Sequence, residues 1–407
     1  MRRAQLAATV LATALLGAAA PSDPLASQQW HLAKVGTAAA WDGGQGNGGI
    51  VAVLDTGVDL DHPDLRDHLV EGIDLVDEGT PPDDPQGHGT LVAGIIAATA
   101  SNGQGVAGVA PGARIMPVRV LDAEGRGTPA TVAAGIQWAA NHGASVINLS
   151  LAEAGVHDGA GADLRRGAEG LVDTQVEQAI RTAAEAGTLI VAAAGNDGRD
   201  AVPYRAGLPV LVVGATDRSD RVWPRSNRDA RVLFAPGVEI LSTWSGGRYA
   251  KADGTSFATP IVAAGAVILR GQGLSAGQAH ERLVSSAVRV GSGFDRVDLA
   301  AAVTGIPAPP EGSVAQPAQP VTPAAAAGAP VIQISPPPPP GPVRSFEPPP
   351  AVPPLPAPAS PAPSAAPIAV TLHRAIDWRA AAMAAGTALL LIAAGAWLAS
   401  ARPSGRR

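Results

Sequence analysis

Four polar side chains stand beside apolar runs and together could perform nucleophilic catalysis. They are Asp55 at the end of IVAVLD, His88 in GHGTLVAGIIAA, Asn196 after TLIVAAAG, and Ser256 in DGTSFATP. Each alone is a weak signal, since an Asp after a strand is about as often a helix cap as a catalyst. The acid, the imidazole and the alcohol follow one another at intervals of 33 and 168 residues, in the chain order of one known type of hydrolytic triad. We therefore predict one catalytic site.

A different catalytic chemistry is suggested by the triplet DTG at residues 55–57. Aspartic proteases use this triplet, but their mechanism needs two carboxylates that share a proton. The chain contains no second copy of the triplet. That interpretation would require a symmetric dimer and would leave His88 and Ser256 without a role, so it is disfavoured.

The elements that must position these residues alternate between apolar strands and helices. Six runs are predicted as strands, namely residues 50–54, 114–121, 145–151, 188–194, 210–215 and 232–234. Four stretches have helical patterns, namely residues 90–98, 131–142, 172–186 and about 256–270. Continuous apolar strands that alternate with helices predict an α/β fold with a doubly wound parallel sheet. Sites in such sheets lie at the carboxyl ends of the strands, where the four polar residues are expected.

Five segments resemble the signatures of subtilisin-like serine proteases and occur in that family's order. They are VAVLDTGVDLDHPDL, GHGTLVAGIIAA, GVAP, AAAGN and GTSFATP, and the resemblance covers about residues 30–305. It implies a subtilisin-like sheet with helices on both faces and hydrolysis of peptide bonds through an acyl-enzyme. By this resemblance Ser256 is the nucleophile, His88 the general base and Asp55 the acid that orients it. Asn196 is then the side-chain donor of the oxyanion hole.

The substrate of a subtilisin-like protease is an extended peptide that adds a strand beside the catalytic residues. The resemblance implies that Ser150, Leu151 and Ala152 form one wall of this cleft, next to a loop over residues 153–170. Family members often carry glycine just after this serine. Leu151 and Ala152 depart from that pattern, which leaves the depth of the pocket open.

The segment from Asp55 to Asp84 holds eleven acidic residues and one basic residue, Arg66. It could favour basic substrates or bind calcium, but a solvated acidic face is the favoured interpretation. We predict no organic cofactor and assign no metal ligands.

The charge and composition disfavour a nucleic-acid partner. Residues 21–306 carry 21 Lys and Arg against 32 Asp and Glu, and no basic stripe is interleaved with aromatic residues. The absence of cysteine from the chain excludes disulfides, thiolate catalysis and cysteine-ligated metals.

The two ends of the chain predict export and membrane anchoring. Residues 1–20 place two arginines before an uncharged run that ends in alanines, as in a secretory signal peptide. Residues 379–401 include 22 consecutive uncharged residues, about 33 Å of helix and enough to span a bilayer. Residues 402–407 form a basic cytoplasmic tail. We expect a single-pass protein of the cell membrane whose catalytic part lies outside the cytoplasm.

Three segments lie between the predicted signal and anchor. Residues 21–45 are expected to form an N-terminal extension with Trp30 and Trp41 as anchors, and residues 46–306 the catalytic domain. Residues 307–370 are rich in Pro and Ala, and 23 of the 38 prolines lie between 307 and 367. Such a composition predicts an unfolded, semi-rigid linker that favours polyproline II.

This order of segments, with no long prosegment before Asp55, is similar to that of the mycosins, membrane-anchored proteases of type VII secretion. The resemblance implies a narrow range of exported protein substrates and an association with the secretion complex. Mycosins usually carry disulfides, which this chain cannot form. We expect a membrane-tethered serine endopeptidase. The alternatives are a mainly structural subunit of a membrane secretion complex with dispensable protease activity, and a peptide-binding pseudoprotease, which the presence of all four site residues disfavours.

Overall fold

The strands and helices are those of a computed structural model, which describes residues 21–151, 172–291 and 293–305 and the backbone of residues 331–334. The strands are β1 (Ile50–Asp55), β2 (Ile73–Asp74), β3 (Arg114–Arg119), β4 (Val146–Leu149), β5 (Leu189–Ala193), β6 (Leu211–Thr216), β7 (Val232–Pro236), β8 (Ile240–Trp244), β9 (Arg248–Ala252), β10 (Val288–Val290), β11 (Phe294–Arg296) and β12 (Val331–Ile334). The helices are α1 (Trp30–Lys34), α2 (Thr37–Gly43), α3 (His88–Ala97), α4 (Pro129–Asn141), α5 (Thr174–Glu185), α6 (Thr255–Gly271), α7 (Ala276–Ser285) and α8 (Leu299–Thr304).

Strand β1 lies inside a nine-stranded sheet of order β10-β11-β7-β6-β5-β4-β1-β3-β2. The strands next to β1 are β3 and β4, and both pair with it in parallel. Strands β2 and β3 therefore lie on one side of β1, and the later strands β4, β5, β6, β7, β10 and β11 lie on its other side. The crevice of such a sheet opens at the carboxyl ends of the strands where the order reverses. The carboxyl end of β1 is at this position.

Alternate side chains of β1 enter two hydrophobic cores on opposite faces of the sheet, because successive residues of a strand point in opposite directions. Val51 and Val53 belong to a core that includes residues of α3 and α6. Ala52 and Leu54 belong to a core that includes residues of α4 and α5. The prediction of a mostly parallel sheet covered by helices on both faces is confirmed.

The predicted elements around the site agree with the structure to within a few residues. The strand predicted over residues 50–54 is β1, which extends one residue further to Asp55, and the helix predicted from residue 90 begins two residues earlier, at His88. Helix α4 begins at Pro129 because Thr128 and Thr131 form a capping box just before it and proline suits the first helical position. Thr128 Oγ1 accepts from the N–H of Thr131 at 3.0 Å.

The strands β8 and β9 were not predicted from the sequence. They pair antiparallel and lie outside the nine-stranded sheet. The hydroxyls of Ser242 and Thr243 in β8 donate to the carbonyl oxygens of Leu91 and Thr90 in α3, at 2.9 and 2.6 Å. These polar side chains break the apolar pattern of a strand, and their partners are distant in the chain.

Four residues of the predicted linker form a strand, which corrects the expectation that residues 307–370 are unfolded throughout. Strand β12 pairs in parallel with β9, and Val331 lies opposite Tyr249. Residues 331–334 contain no proline and three β-branched residues, so they keep their N–H donors and suit a strand. Residues 306–330 and 335–407, and the signal peptide expected at residues 1–20, lie outside the described residues. No helix in the described ranges is long and apolar enough to cross a membrane.

The segment predicted as an N-terminal extension packs against the catalytic part. Trp41 is buried, and its indole N–H donates to the carbonyl oxygen of Val109 at 2.8 Å. The indole N–H of Trp30 donates to Val238 at 3.2 Å. The helices α1 and α2 are therefore part of the same packed structure as the sheet.

The buried His31 in α1 contributes to the response of the fold to acid. Its ring has no exposed surface, and neither ring nitrogen has a hydrogen-bond partner in the described part of the chain. Burial lowers the pKa of His31 from 6.5 to about 3, because the charged imidazolium would lose its hydration. The unfolded chain therefore takes up a proton near pH 6.5 that the folded chain takes up only near pH 3.

We expect this difference to cost the folded state up to about 1.4 kcal/mol per pH unit as the pH falls between these two pKa values. The variant His31→Leu should lack this component, so its free energy of unfolding in urea should fall less steeply with acid. A comparison at about pH 8, where His31 is neutral in both states, measures the cost of the substitution itself. Parallel curves for the two proteins down to about pH 4 would contradict the expectation.

Candidate active site

The carboxyl end of β1 and the first residue of α3 bring Asp55 and His88 together. Oδ1 of Asp55 lies 2.7 Å from Nδ1 of His88. The same oxygen accepts the N–H of Thr56 at 2.8 Å, which fixes the carboxylate. Asp55 is fully buried, whereas 18% of the His88 side chain is exposed. The carboxylate can therefore orient the imidazole while the imidazole remains open to a substrate.

Ser256 is the second residue of α6, which packs against the sheet beside β4 and β5. Its hydroxyl donates to the main-chain oxygen of Ser150 at 3.1 Å. Ser256 is buried, and the ring of its neighbour Phe257 lies 5.2 Å from the His88 ring. The contact between Phe257 and His88 therefore brings the start of α6 to the Asp55–His88 pair.

Asn196 follows β5 and presents an amide donor at the same edge of the sheet. Its Oδ1 accepts both the N–H and the hydroxyl of Thr255, each at 2.9 Å. These two bonds fix which end of the amide faces Thr255. Nδ2 points the other way, is buried, and has no hydrogen-bond partner in the described part of the chain. An unpaired buried donor costs free energy, so its presence here fits a group that becomes paired in another state of the site.

The residues predicted as a substrate wall follow β4. Ser150 is buried and its carbonyl oxygen contacts the hydroxyl of Ser256. Leu151 is buried as well, and Ala152 lies outside the described residues. Ser150 is therefore at the site, at the carboxyl end of a strand adjacent to β1.

The acidic segment 55–84 is only partly a solvated face, which corrects the favoured interpretation. Five of its eleven acidic side chains are buried, namely Asp55, Asp59, Asp64, Asp74 and Asp84. Asp59 accepts the N–H groups of Gly246 and Gly247, both at 2.9 Å. Asp74 pairs with Arg119 at 2.6 Å. The buried carboxylates of this segment satisfy donors of the chain itself.

Asp84 joins the strand that carries Asp55 to the helix that carries His88, and it was not among the predicted site residues. Its Oδ1 accepts the hydroxyl of Thr56 at 2.8 Å, and its Oδ2 accepts the N–H of Thr90 at 2.9 Å. The N–H of Thr90 belongs to the first turn of α3, where an acceptor replaces the missing helical partner. An acidic residue four positions before His88 was the available signal, since caps precede helices.

Two buried carboxylates near one loop raise the question of whether the described residues could bind calcium. Asp23 and Asp64 are buried and bond the same loop, since Asp23 accepts the N–H of Ser101 at 2.7 Å and Asp64 accepts the N–H of Val106 at 3.2 Å. Burial and the nearby Asp64 and Asp23 carboxylates raise the pKa of Tyr249. Two carboxylates at one loop are the hard oxygen donors that calcium prefers. The described residues contain no group of three or more His, Cys, Asp or Glu that could hold a metal.

Comparison with known proteins assigns the family. Residues 46–305 match the profile of the subtilase family. Thermitase of Thermoactinomyces vulgaris is 40% identical over 273 residues, which are 66% of this chain and 92% of thermitase. Subtilisin BL of Lederbergia lenta is 39% identical over 247 residues, which are 60% of this chain and 84% of that protein.

A solved structure agrees with this result. A protease from Pseudoalteromonas arctica PAMC 21717 superposes with a TM-score of 0.62 at 30% identity, and the match covers 70% of this chain and 99% of that one. A cold-adapted subtilisin-like serine proteinase superposes with a TM-score of 0.53 at 33% identity, over 62% and 89% of the two chains. Since the family profile also covers more than half of the chain, this protein belongs to the subtilase family and is a subtilisin-like serine endopeptidase.

Proposed function

We propose that Ser256, His88, Asp55 and Asn196 perform the hydrolysis. Nε2 of His88 removes the proton of Ser256 Oγ as the oxygen attacks the carbonyl carbon of the scissile peptide bond. The carbonyl π electrons move to the oxygen, which becomes an oxyanion. Asp55 holds the imidazole through Nδ1 and stabilises the imidazolium. Water then attacks the carbonyl carbon of the acyl-enzyme in the same way. His88 takes the proton of the water and returns it to Ser256 Oγ as the acyl group leaves.

The oxyanion would bind two N–H donors. One is Nδ2 of Asn196, and the other is the main-chain N–H of Ser256. Ser256 is the second residue of α6, and the first four N–H groups of a helix have no partner within it. When the tetrahedral intermediate collapses, the C–N bond breaks and His88 returns the proton to the leaving amine. The substrate is an extended peptide that lies along Ser150, Leu151 and Ala152.

The 2.7 Å contact between Asp55 and His88, with the ring of Phe257 beside Ser256 lying 5.2 Å from the His88 ring, is the observation that carries this proposal. A fluorophosphonate tests it, because this probe forms a covalent bond only with an activated serine. The wild-type chain should be labelled and Ser256→Ala should not. Labelling of a folded Ser256→Ala variant, or a folded wild type that resists the probe, would refute the assignment.

Subtilases commonly bind calcium, but among the described residues Asp23 and Asp64 do not fit such a site, because the oxygens of both carboxylates already accept N–H and O–H donors of the chain. Both carboxylates bond the loop that contains Ser101 and Val106, and their hydrogen bonds do not reach Asp55, His88 or Ser256.

We further propose that a C-terminal helix at residues 379–401 anchors the protease to the outer face of the cell membrane. The support is the uncharged run at this position, followed by the basic tail. The full chain should sediment with membranes and resist extraction at high pH. A chain that ends at Trp378 should be released into the soluble fraction outside the cytoplasm. If both forms fractionate alike, the anchor is refuted.

A mycosin-like role in type VII secretion is the narrower part of the proposal, and the arrangement of segments along the chain supports it. If proteolysis is the main function, Ser256→Ala should disturb processing of exported substrates as strongly as deletion of the chain does. If the chain is mainly a structural subunit, deletion should abolish secretion and Ser256→Ala should preserve it.

A further inference from the structure

Helix α6 contains a proline close to the serine that we assign as the nucleophile. Pro260 lies in the second turn, four residues after Ser256. In an α-helix the N–H of residue 260 would donate to the carbonyl oxygen of residue 256. Proline has no N–H, so this carbonyl oxygen lacks its usual partner.

Ser150 supplies the missing hydrogen bond from a different element. Its hydroxyl donates to the carbonyl oxygen of Ser256 at 2.8 Å. In return, the hydroxyl of Ser256 donates to the carbonyl oxygen of Ser150 at 3.1 Å. The two serines therefore exchange a reciprocal pair of side-chain to main-chain bonds, and both are fully buried.

Asn148 directs the hydroxyl of Ser150. It is a fully buried polar residue within the apolar strand β4, and its Nδ2 donates to Ser150 Oγ at 2.9 Å. The oxygen of Ser150 thus receives a proton from Asn148, which leaves its own proton for Ser256. Oδ1 of Asn148 is buried without a partner in the described part of the chain.

We propose that Asn148, Ser150 and Pro260 form a positioning relay that holds the main chain of Ser256. Pro260 frees the carbonyl oxygen, Ser150 binds it, and Asn148 orients Ser150. The relay fixes the peptide unit that follows the Ser256 Cα, and through the Cα it restricts the direction of the Oγ and of the N–H that faces the oxyanion. This proposal deepens the assignment of Ser256 as nucleophile and rests on it. The three residues are positioning residues, because their side chains act through Ser256.

The kinetic effect should fall on the chemical step. A displacement of about 1 Å at reacting atoms can lower a rate about a hundred-fold. We therefore expect Ser150→Ala to lower kcat by about 10- to 100-fold and to leave KM within about two-fold. The rate of phosphonylation by a fluorophosphonate should fall in parallel with kcat. A merely structural serine would lower the melting temperature without changing either rate.

A second substitution separates the relay from a general loss of packing. Pro260→Ala creates an N–H that can donate to the carbonyl oxygen of Ser256, so it replaces the bond that Ser150→Ala removes. We expect the double variant to have a higher kcat than Ser150→Ala alone. If the fold-losses of kcat in the two single variants multiply in the double variant, the proposal is overturned, because the effects of substitutions at independent sites add in free energy.

Ser145→Ala is the matched control. Its hydroxyl also donates to a main-chain carbonyl, that of Ile50 at 3.0 Å, but it precedes β4 at the opposite edge of the sheet. It should leave kcat and the phosphonylation rate unchanged. If Ser150→Ala does not fold, melting temperatures of the Pro260→Ala and double variants decide: a double variant that folds supports the relay, and one that also fails to fold overturns it. A wild type that resists the probe would instead refute the assignment of Ser256.

Discussion

Replacing either Ser256 or His88 by alanine is expected to lower kcat by about a million-fold, and replacing both should cost no more than replacing one. The hydroxyl is a weak nucleophile without its base, and the base has no proton to remove without the hydroxyl. The two side chains therefore act as a unit. The measurement is peptide hydrolysis by the three variants under saturating substrate, beside the wild type.

Asp55→Asn should cost less, about ten-thousand-fold, because the imidazole remains in place but is held in the wrong tautomer. Thermal unfolding must show that each variant is folded. Ser285→Ala serves as the control, since this serine is exposed on α7 and should hydrolyse peptides at the wild-type rate. Losses for Ser256→Ala and His88→Ala that multiply in the double variant would contradict a shared catalytic step.

Replacing Asn196 by leucine is expected to lower kcat by about a hundred- to a thousand-fold and to change KM little. The amide Nδ2 is already directed away from Thr255 and has no partner in the described part of the chain. It would be paired only when the oxyanion forms, so its loss should raise the energy of the transition state and leave the bound substrate unaffected. Steady-state kinetics with one peptide substrate give both constants.

Two variants of Thr255 test the geometry behind this expectation. Thr255→Val removes the hydroxyl that donates to Oδ1 of Asn196, and Thr255→Ser keeps it. The valine variant should show a smaller loss of kcat than the variant at position 196, and the serine variant should remain close to wild type. A rise of KM at constant kcat in the leucine variant would show that Asn196 binds the ground state.

The strands and helices next to the site were predictable because they are bounded by local signals. The apolar run at β1 is long enough to identify a buried strand, and the first turn of α4 contains its own capping residues. Strands β8 and β9 were not predictable in this way, because Ser242 and Thr243 find their partners in α3. Strand β12 was hidden by the proline-rich composition around it, although its four residues contain no proline.

By itself, the sequence determined which groups are predicted to react. Each of the four predicted site residues lies in a short motif whose residue types indicate its chemistry, namely Asp55, His88, Asn196 and Ser256. A motif is a local property of the chain. The tertiary structure decided how these groups are held. Asp84 connects β1 to α3, and Ser150 replaces the N–H that Pro260 lacks. Such bonds join residues that only folding brings within 3 Å of one another, so the chain could indicate a capping residue before α3 but not the partners that these side chains bind.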